Sequence, residues 1–129
     1  TPLYSSAASD VYKRQVELMD SGQRLRTYCH VNDAAEMLIA VLLEAEGEIV
    51  NVGGVSSVSI RELGFQIAQQ LDVPFIAPAH HQDAVDSSPA VVNLDLSRVR
   101  SLFEKREFVP LDQGLRQIIE WYKYLLSHE

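Results

Sequence analysis

The residues best suited to bind a charged ligand lie between positions 26 and 37 of the sequence. Arg26 ends a polar turn, a short β-type run follows it, and Asp33 then opens a strongly apolar helical segment. A guanidinium group suits two-point binding of phosphate oxygens, so Arg26 is the first candidate for a contact with an anionic ligand. The residues alone also allow an ordinary surface arginine, solvated or paired with an acid, and they favour that interpretation.

The other polar residues of this stretch have structural interpretations that we prefer to catalytic ones. Asp33 is expected to cap a helix rather than to act as an acid. His30 is expected in the strand, in its core or on its face. Cys29 is expected to be a small buried hydrophobe, because nothing near it would activate its thiol. No Ser/His/Asp or Cys/His arrangement is evident, so the sequence assigns no catalytic residue to this chain.

A metal site and a phosphate loop are the remaining chemical candidates, and the spacing argues against both. His80 and His81 are adjacent, so their rings diverge on an extended backbone, and Asp83 and Asp86 supply no third nitrogen or sulfur ligand. The glycine pair at positions 53 and 54 lacks both the GxGxxG pattern and the lysine of a Walker loop. We therefore expect no metal site and no cofactor-binding residue in this chain.

Composition bounds the class of protein. The 129 residues suit one domain or part of a larger one, with 47% hydrophobic and 22% charged residues. The net charge of −7 argues against nucleic-acid binding, which needs clustered Lys and Arg. The single cysteine excludes an internal disulfide and indicates a reducing, cytoplasmic setting. The longest apolar run, residues 37–43, is too short to span a membrane.

Residues 1–15 resemble the translation of a transposase adapter from a DNA sequencing library. One back-translation of residues 5–15 reads as such an adapter from end to end, and the segment has no apolar periodicity. A natural disordered tail is the alternative. We therefore exclude residues 1–15 from the fold, expect them to be disordered, and expect residue 16 to lie within a longer protein.

Apolar periodicity and capping residues predict an α/β arrangement from residue 16 onward. Residues 16–20 read as the end of a helix. Strands are predicted at residues 25–31, 48–52, 73–77 and 90–94. Helices are predicted from Asn32 or Asp33 to about residue 45, from a capping box at Ser59 to residue 71, from Asp95 to residue 103, and from Asp112 to about residue 126.

Two of these helices have informative apolar patterns. The helix after Asp33 is apolar on nearly every side from residue 34 to residue 43, which predicts cover on two sides. The rest of the chain offers few elements to supply that cover, so we expect a missing partner domain. The last helix carries a stripe that is expected to face inward, formed by Leu115, Ile118, Ile119, Tyr122 and Leu126.

Taken in order, five motifs resemble the C-terminal part of the NAD-dependent epimerase/dehydratase family, the extended short-chain dehydrogenase/reductases that act on nucleotide sugars. Residues 26–35 are similar to the family's R-D-[FY]-x-x-V-x-D-x-[AV] segment, and residues 50–54 to its Y-N-[IV]-G-[SG] strand end. Residues 58–63 resemble its S-[IV]-x-E-L helix start, and residues 94–99 its D-x-[ST]-[KR]-[AL] segment. Residues 110–122 are similar to the closing P-x-x-[ED]-[ED]-G-L…I-x-W-[YF] signature.

The resemblance implies a Rossmann-type α/β enzyme, of which residues 16–129 are mainly the smaller C-terminal substrate-binding lobe. The family's Gly-rich NAD fingerprint and its Tyr-x-x-x-Lys catalytic pair lie upstream, so this chain alone is expected to bind no NAD and to be inactive. By this resemblance, Arg26 is expected at the position that binds the diphosphate of the nucleotide sugar. The parent enzyme is expected to be a homodimer. Many relatives carry an arginine before Asp95, which residues 88–93 lack here, so the substrate stays open.

The implied reaction is transient oxidation of a sugar hydroxyl by bound NAD⁺, then elimination, epimerisation or decarboxylation, then return of the hydride. An enzyme like dTDP-glucose 4,6-dehydratase or UDP-glucuronate decarboxylase is our first choice, and a 4-epimerase is the next. The alternative is a small non-enzymatic interaction module that binds a partner through the apolar helix. A glycine-rich strand–helix unit in the upstream reading frame distinguishes the enzyme from the module.

Overall fold

The computed structural model describes residues 14–78, 91–105 and 107–128. Its elements are β1 (Val16–Glu17), β2 (Leu25–Tyr28), α1 (Val31–Glu44), β3 (Ser56–Ser59), α2 (Ile60–Leu71), β4 (Phe75–Ile76), α3 (Ser97–Phe103) and α4 (Leu111–Ser127). The chain divides into two compact units. The first unit holds β1, α2 and β4, and the second holds β2, α1, α3, α4 and most of β3. The mixed α/β composition is the one that the sequence predicts.

The sheet of the first unit is a parallel pair formed by β1 and β4. Val16 lies opposite Phe75, and Glu17 lies opposite Ile76. The N–H of Leu18 extends the pair by donating to the carbonyl of Ile76 at 2.9 Å. The prediction that residues 16–20 end a helix is therefore wrong. Their strand partner lies far along the chain, and a local pattern contains no information about it.

Helix α2 covers this sheet and begins where the capping box predicts. The hydroxyl of Ser59 accepts a hydrogen bond from the N–H of Glu62 at 3.0 Å, which confirms the capping role of Ser59. Gly64 and Ala68 are the buried residues of the helix. Phe65 packs edge to face on Phe75, with ring centroids 5.8 Å apart. The first unit is thus held together by one helix face against two short strands.

The core of the second unit lies between α1 and α3. Met37 from α1 is fully buried, and it packs with the fully buried Val99 of α3 and with Leu96, the N-cap residue of α3. Further partly buried apolar residues pack on this cluster, namely Val41, Val50, Val52, Phe103 and Phe108. Met37 also belongs to the longest apolar run of the sequence, so this part of the run does reach the core.

Two predicted strands of the second unit are wrong. Residues 48–52 and the described residues 91–94 form no strand, and the partner of β2 is β3. Residues 49–51 are instead tied to the region of α3, because Arg98 Nη1 donates to the carbonyl of Ile49 at 2.9 Å and Asn51 Nδ2 donates to the carbonyl of Asp95 at 3.2 Å. Val50 and Val52 of this segment pack on the core although the backbone is irregular. The prediction failed because a short apolar run has the same pattern in a buried strand.

Helices α1 and α4 leave large apolar surfaces exposed. On α1, Leu42 is 81% and Leu43 75% exposed. On α4 no residue is buried, so the prediction that its apolar stripe faces inward is wrong for Ile118, Tyr122 and Leu126, which are all exposed. The exposure of Leu42 and Leu43 agrees with the expectation that the rest of this chain has too few elements to cover α1 on two sides. Within the described ranges, no helix combines the length and the hydropathy that a bilayer crossing requires.

Candidate functional site

A groove of about 560 Å³ lies in the second unit, between the C-terminal end of β2 and helix α4. One wall comes from the end of β2 and the start of α1, and the other from residues 109–121. The residues that line it are Tyr28, Cys29, His30, Val31, Asn32, Ser56, Val109, Pro110, Leu111, Gly114, Leu115, Gln117, Ile118 and Trp121. We call this space the β2–α4 groove. Most of its surface is apolar, and a few polar groups stand at its β2 side.

His30 connects the two walls of the groove. Its Nδ1 accepts a hydrogen bond from the N–H of Asn32 at 3.1 Å, so its imidazole caps α1. Because Nδ1 is an acceptor, Nε2 carries the proton and donates to Oε1 of Gln117 on α4 at 2.8 Å. The predictions that Asn32 or Asp33 caps this helix and that His30 belongs to the strand or its core are therefore wrong. A histidine cap was missed because Ser, Thr, Asp and Asn are the usual capping residues.

Asp33 holds the segment that leads into α4, rather than capping α1. Its Oδ1 lies 2.7 Å from Nζ of Lys105, and its Oδ2 accepts from the N–H of Val109 at 2.8 Å. Nζ of Lys105 also lies 2.7 Å from Glu36 Oε2 and 5.3 Å from the ring centroid of Phe108.

The contacts of this cluster shift two pKa values. Desolvation alone raises the pKa of Asp33, but hydrogen bonds from Lys105 and Val109 outweigh it and hold that pKa below its usual value. Desolvation likewise lowers the pKa of Lys105, and the hydrogen bonds to Asp33 and Glu36 outweigh it, so that pKa is raised. Both groups are therefore charged at neutral pH, and the pair is a stable ionic link.

Cys29 is exposed, so the prediction of a buried hydrophobe is wrong. Partial desolvation of its sulfur and the charge of Asp33 raise the pKa of the thiol. The sulfur lies 3.5 Å from the carbonyl oxygen of His30. A raised pKa keeps the thiol protonated at neutral pH, which is the opposite of the state that a nucleophilic cysteine needs.

Arg26 lies on β2 and is half-buried. Its Nη1 donates to the carbonyl of Leu25 at 2.7 Å. Side chains alternate along a strand, so Arg26 shares a face of β2 with Tyr28, which lines the groove. Thr27 points to the opposite face and lines a separate recess of about 530 Å³. Arg26 itself does not line the groove, but it lies two residues before Tyr28 on the same face of β2.

Metal binding by this chain would depend on a group of side chains that could act as ligands. In residues 14–78, 91–105 and 107–128, no group of three His, Cys, Asp or Glu side chains could hold a metal ion. His80, His81, Asp83 and Asp86 lie outside the described residues.

The glycine pair at positions 53 and 54 does not fit the pyrophosphate of NAD. A Cβ built at Gly54 would overlap the carbonyl oxygen of Tyr28, so the chain's own backbone fills the space beside this glycine. No step of a reaction is therefore assigned to NAD at this glycine pair.

Sequence reasoning missed two residues that shape the groove. Lys105 and Gln117 reach their partners, Asp33 and His30, across more than seventy positions of the sequence. Neither residue has a local pattern that distinguishes it from an ordinary surface side chain. Pairing over such a distance could be found only from the fold.

Known proteins similar to this chain act on nucleotide sugars. A profile of the NAD dependent epimerase/dehydratase family matches residues 2–53. That range includes part of the segment with the predicted adapter origin, which stays a prediction. The UDP-N-acetyl-alpha-D-glucosaminuronate decarboxylase of Bacillus cytotoxicus is 28% identical over 112 residues, which are 79% of this chain and 33% of that protein. The chain thus spans about a third of the length of this relative.

Solved structures confirm the fold. The dTDP-glucose 4,6-dehydratase of Streptomyces venezuelae has a TM-score of 0.70 at 21% identity, covering 95% of this chain and 38% of that chain. The UDP-glucuronic acid 4-epimerase of Bacillus cereus, in complex with UDP-glucuronic acid and NAD, has a TM-score of 0.67 at 21% identity, covering 84% and 35%. The chain therefore has the mixed α/β fold of a part of these Rossmann-type enzymes.

Proposed function

We propose that this chain is the C-terminal substrate-binding lobe of an NAD-dependent enzyme that dehydrates, decarboxylates or epimerises a nucleotide sugar. In this proposal residues 16–129 anchor the sugar nucleotide, and NAD and the catalytic pair belong to the rest of a longer, homodimeric cytoplasmic enzyme. The observation that carries the proposal is the position of Arg26, on the β2 face that leads past Tyr28 to the β2–α4 groove.

Arg26 supplies the diphosphate contact in this account. A guanidinium group on a strand is held in direction by the sheet, and its fork matches two phosphate oxygens. It is half-buried, so the electrostatic attraction to a diphosphate is screened less than at a fully exposed side chain. The sugar end of the ligand then extends along the same strand face towards the groove.

The exposed surface of α1 supports the proposal of a longer enzyme. Leu38, Ile39, Leu42 and Leu43 form a contiguous apolar face because they lie at helical spacing. Such a face is costly to leave in water, and another part of the parent enzyme would cover it. The relative from Bacillus cytotoxicus, of which this chain matches 33%, has room for that part.

The same face also favours the second candidate function, a non-enzymatic module that binds a partner protein through α1. The two functions differ in what precedes residue 16 in the gene. The enzyme requires a glycine-rich strand–helix unit and a Tyr-x-x-x-Lys pair in the upstream reading frame. The module requires neither.

Long-read sequencing of the source DNA tests the proposal, followed by expression of the full reading frame. The expected result is an upstream reading frame that encodes both motifs. The purified full-length protein is then expected to bind NAD and to convert a UDP- or dTDP-sugar. A start codon directly before residue 16, with no upstream frame, would contradict the enzyme and leave the module.

A further inference from the structure

Asp33 is a buried acid that the proposed diphosphate contact does not use. It is 3% exposed, and it is the buried charged residue of the described chain. Removing a carboxylate from water is costly unless hydrogen bonds replace the lost hydration. Both of its oxygens have such a bond, one from Lys105 and one from the backbone of Val109.

These two bonds fix the chain just before α4. Lys105 and Val109 are four positions apart, and Pro110 directly after them is the N-cap residue of α4. Lys105 is itself largely covered, at 8% side-chain exposure, and Glu36 holds it from the next turn of α1. The carboxylate of Asp33 therefore sets where α4 begins relative to the first turn of α1.

The position of this segment determines one wall of the β2–α4 groove. Val109, Pro110 and Leu111 line that wall, whereas Asp33 does not line the groove. The opposite wall includes Tyr28, on the strand face of Arg26. Asp33 thus acts on the groove from behind, through the backbone that it holds.

Building on the proposed function, we propose that Asp33 is a positioning residue for the sugar-nucleotide site. It holds Lys105 and Val109 so that Pro110 and Leu111 stand at a fixed separation from Tyr28. It touches no ligand. Its loss widens or loosens the groove, weakens binding of the nucleotide sugar, and leaves the diphosphate contact of Arg26 chemically intact.

The chain provides its own reporters of the groove. Trp121 is the single tryptophan and Cys29 the single cysteine, and they line the α4 and β2 sides of the groove. Tryptophan emission reports the solvation of one wall, and the rate of thiol modification by a disulfide reagent reports access to the other. Both are measured on the 129-residue chain, at matched far-ultraviolet circular dichroism.

The decisive variants are Asp33→Asn and its matched control Glu36→Gln. Both replace a carboxylate beside Lys105 with an amide, but Glu36 is 55% exposed and does not bond Val109. We expect Asp33→Asn to shift Trp121 emission to longer wavelength and to speed modification of Cys29. Because the charge of Asp33 itself raises the pKa of this thiol, the modification rates are compared at an alkaline pH at which Cys29 is ionised in every variant. Glu36→Gln is expected to leave both unchanged. If Asp33→Asn does not fold, Lys105→Met, which keeps the Val109 bond, is expected to show the same changes at smaller size.

A ligand titration then connects the groove to binding. With UDP and dTDP as probes, Asp33→Asn is expected to weaken binding by about three- to tenfold, and Glu36→Gln to leave it unchanged. Unchanged Trp121 emission and Cys29 reactivity in folded Asp33→Asn or Lys105→Met would overturn the positioning role. If the wild-type chain binds neither nucleotide, the proposed function fails, and the two reporters still decide whether Asp33 holds the groove.

Discussion

Gly114 of α4 lies directly against the imidazole of His30. A Cβ built at residue 114 would come 3.2 Å from Cδ2 of His30, which is closer than an ordinary van der Waals contact. The absent side chain allows α4 to approach the start of α1 closely enough for the His30–Gln117 hydrogen bond. A glycine inside a helix otherwise costs about 1 kcal/mol relative to alanine.

This contact predicts a dependence between residues 114 and 30. Gly114→Ala gains helix propensity but crowds the imidazole, so its stabilisation in the wild-type chain is expected to be small or negative. In a His30→Ala background the crowding is gone, and the same change is expected to stabilise by about 1 kcal/mol. Urea unfolding of the four chains measures the coupling. Equal effects of Gly114→Ala in both backgrounds would contradict the contact.

Replacement of His30 should separate its two hydrogen bonds. His30→Ala loses the cap of α1 and the bond to Gln117, and is expected to destabilise by about 1–2 kcal/mol. His30→Asn supplies a good N-cap and loses only the Gln117 bond, so it is expected to cost less. Gln117→Ala should match His30→Asn within error. Thermal unfolding compares the three variants, and an alanine variant as stable as the asparagine variant would refute the capping role.

The lowered pKa of Asp33 predicts how the free energy of unfolding changes at acidic pH. Its pKa is held below the usual value of about 3.9 in the folded chain, so the ionised group stabilises the fold above that pH. This contribution is lost as the pH falls through the lower folded-state pKa. Urea unfolding from neutral pH down to about pH 2 should therefore show a steeper loss in the wild type than in Asp33→Asn. Identical slopes would show that Asp33 is not held by Lys105 and Val109.

The raised pKa of Lys105 predicts a loss of stability at alkaline pH. Its pKa is raised in the folded chain, so its stabilisation is complete below the usual value of about 10.4 and is lost as the pH rises through the higher folded-state pKa. Lys105→Met is expected to be less stable at neutral pH and flatter above about pH 10. The measurement is denaturant unfolding at alkaline pH, with Lys123→Met on the exposed side of α4 as the matched control. An equal flattening in both variants would assign the effect to general charge.

Gly54 is expected to be the least replaceable glycine. A Cβ there would overlap the backbone carbonyl of Tyr28, which cannot move without displacing β2. At the neighbouring Gly53 the nearest atom is the end of the Leu94 side chain, which can rotate away. Gly54→Ala is therefore expected to cost about 3 kcal/mol or more, and Gly53→Ala clearly less. Comparable unfolding midpoints for the two variants would contradict the close approach.

The elements that the sequence located correctly are those with local causes. Ser59 caps α2 through a bond to a residue three positions away, and the stripe behind it has helical spacing. The segment after Asp95 also ends at Phe103 as expected, although Leu96 rather than Asp95 is the N-cap residue. The carboxylate of Asp95 still accepts a hydrogen bond from the N–H of Ser97, the first residue of α3, at 2.9 Å. The predicted position of Asp95 at the start of this helix is therefore nearly correct.

The parts that the sequence could not locate depend on distant partners. Strand β1 exists because Val16 pairs with Phe75, and residues 48–52 are irregular because Arg98 and Asp95 bind their backbone and side chains. Asp33 looked like a cap because its true partners, Lys105 and Val109, lie in another part of the chain. At the candidate site, Arg26 could be proposed from its motif, whereas the walls of the β2–α4 groove could be found only from the fold.

The diphosphate contact of Arg26 is the central claim, and calorimetric titration with UDP and dTDP tests it most directly. Four chains are compared: wild type, Arg26→Ala, Arg26→Lys and the control Arg116→Ala, which removes an exposed arginine of α4. We expect Arg26→Ala to weaken binding by about tenfold or more, Arg26→Lys to retain part of it through charge alone, and Arg116→Ala to bind like the wild type. Equal affinities of the wild type and Arg26→Ala would remove Arg26 from the site.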